Sequence, residues 1–314
     1  MISIVITTKK EEKTLPRAIK VILEEVNSIR NFGKLVISRE YEVLIVGPDQ
    51  ETEKIAKEFS KKYPEIRYLK DKNRGKPAAL NLAFKEARGE ILVLTDGDVY
   101  IEKGVVAKIL RHFENQKIGA VSGCPVSINS RKNIFGYWSY FLTEAADFVR
   151  KKKNRRGEYL VCSGYLYAFR NIIKKIPEDT LVEDEIISQT IWRNGYKIVY
   201  EPEAKVFVKY PDNFSDWLKQ KIRATGGYIQ KSQIPNSKFQ TNSKFQILNS
   251  KQQMRGFLEE VSEGIKLFFT YPKNLKEFWW TILLYFARLY LWLLIFWQIK
   301  ILKKTPWERV ESTK

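Results

Sequence analysis

The chain has 314 residues and a mass of 37.0 kDa, enough for one large domain or two modest ones. Hydrophobic residues at 44% and charged ones at 29% exclude an intrinsically disordered chain. With 55 Lys and Arg against 36 Asp and Glu, the net charge of +19 points to an anionic partner: a phosphate-bearing substrate, a membrane surface or nucleic acid.

The opening residues lack a basic n-region, so no secretory signal is predicted. The first third alternates short β-branched runs with amphipathic stretches. Strands are predicted over Ile2–Thr7, Glu42–Val46, Ile66–Leu69 and Ile91–Thr95. Helices are predicted over Leu15–Ser28, Thr52–Lys62 and Pro77–Ala87. Strands separated by helices of this length imply crossover units and a mostly parallel sheet, with ligands outside the strands' carboxyl ends.

Past Ala120 the pattern loosens. An aromatic helix is expected over Phe135–Val149, then a basic run, Lys151–Arg156. Tyr165–Phe169 and Lys197–Tyr200 read as strands around a helix, Leu181–Trp192. The only histidine, His112, lies in a helical pattern, and Cys124 and Cys162 have neither a disulfide framework nor zinc-ligand spacing. A reduced compartment is the default. Asn236-Ser-Lys-Phe-Gln recurs at Asn242 and, degraded, at Asn249; this six- to seven-residue period is too short for a solenoid and reads as a low-complexity insertion. Trp279–Trp297 is apolar and aromatic with one charge, Arg288, which suits a helix lying at a membrane interface better than one spanning it. A buried core helix is the plainer alternative.

Four clusters could carry chemistry. Ile91–Asp98 delivers Asp96 and Asp98 at a strand's carboxyl end, and period-two geometry would turn both to one face. Paired carboxylates there suit a hard divalent cation, Mg²⁺ or Mn²⁺, although an ordinary Asp-Gly turn has the same residues. Asn73-Arg-Gly-Lys76-Pro77 sets a glycine and cations before a helix start with Pro77 at its first position, a pattern that binds anions or is simply a solvated turn. Glu183-Asp184-Glu185 opens a helix, where acids suit the dipole and one could be a general base; Cys162-Ser163-Gly164 is a small-residue turn upstream. Gln220 and Arg223 share a helix face and could clamp phosphates or face solvent.

The order of these clusters, with Glu11-Glu12 after the first strand and Gly195–Ala204 between Asp184 and Gln220, resembles family 2 glycosyltransferases. The likeness is to the membrane-associated branch of cellulose, hyaluronan and poly-N-acetylglucosamine synthases, and it covers about Ile2–Gly227. It implies an α/β fold of the A type (GT-A, Rossmann-like), a mostly parallel sheet flanked by helices, with a C-terminal apolar helical tail. The implied organisation is a nucleotide-sugar half, 1–100; an acceptor half, 101–229; the insertion, 230–253; and a membrane-associating tail, 254–314.

By position, Asp98 matches the carboxylate that holds the metal, Mn²⁺ or Mg²⁺, with Asp96 beside it toward the ribose. Thr8, Glu11, Asp49 and Lys76 match nucleotide-holding residues. Asp184 matches the catalytic base; Ser163, Gly164 and Glu183 match acceptor-pocket positions; Gln220 and Arg223 match the motif meeting diphosphate and acceptor. The resemblance thus implies inverting transfer from a nucleoside diphosphate sugar, uridine by expectation, to a sugar or lipid-linked acceptor at the cytoplasmic face of a membrane.

Departures from the family pattern sharpen this. The first strand runs into Thr7-Thr8-Lys9-Lys10 and the second into Val46-Gly47-Pro48-Asp49, both at the base pocket. Ala224 follows Arg223 where processive synthases carry Trp, which implies transfer of one or a few sugars. On residues alone a nucleotidyl or sugar-phosphate transferase and a non-catalytic basic binding protein stay open. Nucleic acid is not expected as a partner, because carboxylates at strand ends do not suit a phosphate-backbone binder.

Overall fold

The computed structural model describes residues 1–31, 40–232 and 267–297. Its centre is β1 (Ile2–Thr7), six consecutive buried residues. A strand covered on both faces reads as a near-continuous apolar run, interrupted here only by Ser3, whose hydroxyl donates to Glu42 Oε1, and closed by Thr7. β1 pairs in parallel with β2 (Tyr41–Gly47) on one side and with β4 (Ile91–Asp96) on the other, and β3 (Ile66–Lys70) lies beyond β2. The crossovers are α1 (Leu15–Asn31), α2 (Gln50–Ser60) and α3 (Lys76–Glu86).

The sheet continues through β7 (Leu166–Arg170), β6 (Ile118–Ser127), β8 (Lys197–Val208) and the two-residue β5 (Tyr100–Ile101). The full order is β3-β2-β1-β4-β7-β6-β8-β5. Parallel pairing holds at β1/β2, β1/β4, β2/β3 and β6/β8, while β7 runs antiparallel to both neighbours and β5 antiparallel to β8. The sheet is therefore mixed. Strand order reverses between β1 and β4, and sheets of this kind take ligands in a crevice outside the strands' carboxyl ends at such a switch.

Alternate side chains serve two apolar layers. Ile4, Ile6, Val43 and Ile45 meet α1 and α4 (Val105–Leu110) on one face. Val5, Leu44, Leu92 and Leu94 meet α3 and α6 (Glu183–Arg193) on the other. Each such side chain stabilises the fold by about 1.5–3 kcal/mol on burial. A third, aromatic cluster joins α5 (Ile134–Arg156), α7 (Phe214–Ser232) and the C-terminal α8 (Leu275–Phe296) through Tyr137, Trp138, Phe141, Trp217, Leu284 and Ala287.

Some elements differ from expectation. α5 runs on to Arg156, so the basic run is its last two turns, closed by Gly157 in the left-handed region at φ 64°. β8 is twelve residues long because its second half pairs with β6 past a register shift. α3 begins at Lys76, which puts Pro77 in the second helical position, after Gly75 at φ 99°. His112 lies in the 3₁₀ turn after α4 and bonds Glu201 Oε2 at 2.8 Å. Both cysteines are buried free thiols. Most of the repeat insertion, and 254–266 and 298–314 of the tail, lie outside the described residues.

α8 is neither wholly buried nor free. Thr281, Leu284, Ala287, Leu291 and Ile295 are buried against the protein. Tyr137 and Thr281 hydroxyls lie 2.7 Å apart, and Trp138 Nε1 donates to Trp280 O at 2.7 Å. The opposite stripe, Trp279, Leu283, Phe286, Tyr290, Leu293 and Trp297, is exposed, Phe286 by 65%.

Candidate active site

The register of β1 and β4 sets Thr7 opposite Asp96 at the mouth of the crevice. Thr7 Oγ1 donates to Asp96 Oδ1 at 2.7 Å. Lys76, first residue of α3, reaches Asp96 Oδ1 at 2.7 Å and Glu183 Oε1 at 3.1 Å. It also approaches Gly164 O at 3.5 Å. One cation thus ties the end of β4 to the start of α6. Burial works against the charged lysine, but Asp96 and Glu183 outweigh it and hold the amine protonated far above its ordinary range.

Beyond Asp96 the strand ends. Gly97 and Asp98 form a turn, so the period-two geometry that would align Asp98 with Asp96 does not persist. The turn is pressed onto the exit of β1: Gly97 N donates to Thr7 O at 3.0 Å. A Cβ on Gly97 would stand 2.8 Å from Thr8 Oγ1 and 2.9 Å from Glu11 Oε2, so only glycine fits. Thr8 Oγ1 is buried with no hydrogen-bond partner among the described residues. An orphaned buried hydroxyl is costly, and a ligand that bonded it would remove that cost. Asp49 caps α2, accepting from Thr52 N and Lys10 N, both at 3.0 Å. Burial opposes its charge, but these bonds hold its carboxyl below the usual range.

Across the crevice, α6 starts with Glu183 and Asp184 facing the turn before β7. A Cβ on Gly164 would lie only 3.3 Å from Asp184 Oδ2. Burial, then the neighbouring Glu183 and Glu185, push Asp184 up to about 7. Glu183 goes the other way: burial alone would raise it, but Lys76, helped by Arg223, keeps it ionised. Glu185 accepts from the Tyr159 hydroxyl at 3.0 Å. Neighbouring acids thus have different environments, with Glu183 kept ionised and Asp184 poised near neutrality.

Ser122 and Ser188, not singled out in the sequence, hold this turn in place. Ser188 Oγ accepts from Cys162 N at 2.9 Å and donates to Asp184 O at 2.6 Å. Ser122 Oγ accepts from Ser163 N at 2.9 Å. Ser188 lies one helical turn after Asp184, a spacing visible in the sequence; Ser122, forty-one residues from Ser163, has no local signal. Tyr165 was also missed. Burial pushes its hydroxyl up to about 12, Arg223, Asp98 and Asp96 all act on it, and its ring packs edge-on against Tyr210. Arg223 therefore acts on the same crevice, while Gln220, one turn earlier, is half-buried.

Asp96 and Asp98 are the residues that could hold a divalent cation. Among the described residues no group of three or more His, Cys, Asp or Glu side chains is placed to bind one. An all-oxygen donor set suits Mg²⁺ or Mn²⁺, and such ions readily take further oxygens from a substrate phosphate. Asp96 also carries Thr7 and Lys76, which ties its carboxylate to β1 and α3.

The sequence matches the profile of glycosyl transferase family 2 over residues 3–176 and that of glycosyl transferase family group 2 over residues 91–299. It is similar to a poly-beta-1,6-N-acetyl-D-glucosamine synthase of Staphylococcus epidermidis, 27% identical over 217 residues, covering 65% of this chain and 52% of that protein. The corresponding Staphylococcus aureus synthase is 26% identical over 163 residues, covering 50% of this chain and 39% of that protein. The chain thus spans about half the length of the first of these relatives. Among solved structures, a mannosyltransferase from Pyrobaculum calidifontis in complex with GDP-Man and Mn²⁺ superposes with a TM-score of 0.58 at 18% identity, over 75% of this chain and 65% of that one. Staphylococcus aureus TarS in complex with UDP-GlcNAc gives 0.52 at 15% identity, over 88% and 77%. At such identities the likeness establishes the GT-A fold.

Proposed function

This chain belongs to glycosyl transferase family 2, and from that premise we propose that it moves a sugar from a nucleoside diphosphate donor to an acceptor hydroxyl with inversion. The observation that carries the reading is Asp184, poised near neutrality against Gly164, across from Lys76 and Asp96. A base with a pKa near the working pH combines a useful ionised fraction with a useful proton affinity.

In the proposed reaction the acceptor oxygen attacks the anomeric carbon as its proton passes to the Asp184 carboxylate. The bond from that carbon to the diphosphate oxygen breaks, and the electron pair leaves with the nucleoside diphosphate. Glu183, kept ionised by Lys76, raises the Asp184 carboxyl, while Ser188, bonded to Asp184 O, and the turn tethered by Ser122 and Ser188 hold Asp184 in position. Gly164 leaves the carboxylate open to an acceptor, with Ser163 beside it. Thr8, Glu11 and Asp49 would hold the nucleoside, and the orphaned Thr8 hydroxyl is a ready partner for it. Lys76, Gln220 and Arg223 would meet the diphosphate. Asp98, with Asp96 beside it, would hold a divalent ion, which supplies charge stabilisation to the departing diphosphate.

UDP is the expected nucleotide, in keeping with the UDP-GlcNAc of the TarS complex, while the GDP-Man of the Pyrobaculum complex makes GDP the competing base. The exposed stripe of α8 supports attachment at a membrane surface. Its aromatic residues, with Lys273 and Lys276 near the helix start, suit a helix lying in the headgroup region while its other face stays docked on α5 and α7.

The test is a thermal titration of the full chain with UDP, GDP and Mn²⁺, together with Asp98→Ala. Stabilisation by UDP only when Mn²⁺ is present, lost in the variant, is the expected result. A melt that neither nucleotide moves would overturn the donor assignment and favour a basic binding protein.

A further inference from the structure

The last turns of α5 carry five cations in six residues, Lys151–Arg156, which the transfer reaction does not use. Cations suit a helix carboxyl end, and that explains their presence on α5. It does not explain the cavity beside them. Lys151, Asn154 and Arg155, spaced to share one helix face, line a cavity of about 290 Å³ together with Tyr200 and Pro202 of β8.

The polar groups of this cavity are biased toward donors. Asn154 Oδ1 is already taken by Tyr200 N at 2.9 Å, leaving its amide hydrogens to donate. Tyr200's hydroxyl donates to Asp147 Oδ1 at 2.7 Å, and Lys151 Nζ meets Asp147 Oδ2 at 2.8 Å, so that carboxylate is engaged on both oxygens. Arg155 has no carboxylate partner among the described residues. Arg150 adds a further cation, 6.0 Å from the centroid of the Tyr200 ring. Lys151 and Arg155 thus line the cavity with Arg150 beside it, and only Lys151 among them is paired with the one carboxylate, Asp147. A ligand that only accepts hydrogen bonds and carries negative charge satisfies such a site, and a phosphate does both. The Tyr200 ring and Pro202 add an apolar wall for the carbon side of an ester.

The cavity lies on the β6–β8 side of the sheet, not at the β1–β4 crevice. Tyr200 packs in the same apolar layer as Cys162 and Ile187, which flank the turn and helix that hold Asp184. We propose that Lys151, Asn154 and Arg155, backed by Tyr200, form a second anion site that takes a phosphate ester, separate from the donor crevice. The ester is either a soluble one, such as an acceptor's own phosphate, or a lipid headgroup. Its assignment to an acceptor rests on the proposed transfer reaction; the site itself does not.

The test uses the full chain with saturating UDP and Mn²⁺, so that the donor crevice is filled. Glycerol 1-phosphate is titrated by calorimetry, and phosphatidylcholine vesicles with and without phosphatidate are tested by co-sedimentation. The double variant Lys151→Gln/Arg155→Gln is compared with Lys153→Gln/Arg156→Gln, which removes the same charge from residues that do not line the cavity. The expected result is at least tenfold weaker binding of one probe in the first variant and near wild-type binding in the second. Loss of glycerol 1-phosphate binding identifies a soluble ester; loss confined to the phosphatidate-dependent fraction identifies a headgroup. Equal weakening in both variants, or no binding of either probe, overturns the proposal. UDP affinity, measured first on each protein, reports the donor reading separately.

Discussion

Asp96 and Asp184 both stand at element ends on the same crevice, yet their surroundings are opposite. Asp96 is held by Thr7 and by Lys76, so its negative charge is matched. Asp184 sits between two other acids, and Lys76, paired directly with Asp96 and Glu183, offsets their effect on it only in part. The difference is one of partners, not of residue type. A single lysine divides the crevice into a charge-matched side, which we propose takes the donor, and a side with one carboxylate near neutrality, which we propose takes the acceptor; leaving-group and base chemistry call for such a division.

The largest test of that contrast is Asp184→Asn. Loss of a general base lowers transfer by about 10²–10⁴-fold, while UDP affinity stays unchanged. The sign of the stability change is equally specific. A carboxyl whose folded pKa is raised to about 7 binds more protons folded than unfolded between its ordinary value of 3.8 and 7, so its contribution is present at low pH and lost as pH rises. The variant should therefore melt higher than wild type at pH 8 and gain less at pH 5. A residue that is merely structural would not combine lost activity with raised stability.

Asp98→Ala comes next and acts on the donor side. At UDP concentrations near 100 times its dissociation constant, wild type with Mn²⁺ gains about 2.7 kcal/mol. The variant loses most of that gain in a thermal melt, and its melt without ligand stays near wild type. Gly97→Ala is a smaller, purely steric test. Its Cβ would press on Thr8 and Glu11, and overpacking of that kind costs about 1–3 kcal/mol, read as a lowered melting temperature with weakened UDP binding.

The smallest effect is a shift in pH dependence. Transfer by wild type should rise through pH 7 as Asp184 ionises. Glu183→Gln removes the nearest negative neighbour, so Asp184 gives up its proton more easily and the rise moves to lower pH. A profile that stayed in place would separate Asp184's environment from Glu183 and break the comparison.

Much of the donor side was legible in the chain. The near-continuous apolar runs of β1 and β4, the carboxylates after β4, and the glycine and lysine before α3 are local patterns. Each survives because a parallel strand buried on both faces constrains its own sequence. The acceptor side was legible only as isolated clusters. The loosened pattern after Ala120 concealed the ten-residue β6 and the length of β8, since their register is set by pairing with each other across a shift. The aligned faces expected of Asp96 and Asp98 failed for a related reason, because the strand ends where Gly97 is pressed onto the exit of β1.

The sequence by itself determined which residues carry charge, roughly where the strands and helices up to β4 lie, and that acids and cations occur at their ends. Tertiary structure alone decided which acid each cation serves. Lys76 is twenty residues from Asp96 and over a hundred from Glu183, and their pairing follows from β1–β4 register and from where α6 meets the sheet. Coulomb interactions and desolvation depend on distance and burial, neither of which is written along the chain. The same holds for α8, whose composition is apolar all round. Only its docking on α5 and α7 decides which stripe is core and which faces outward.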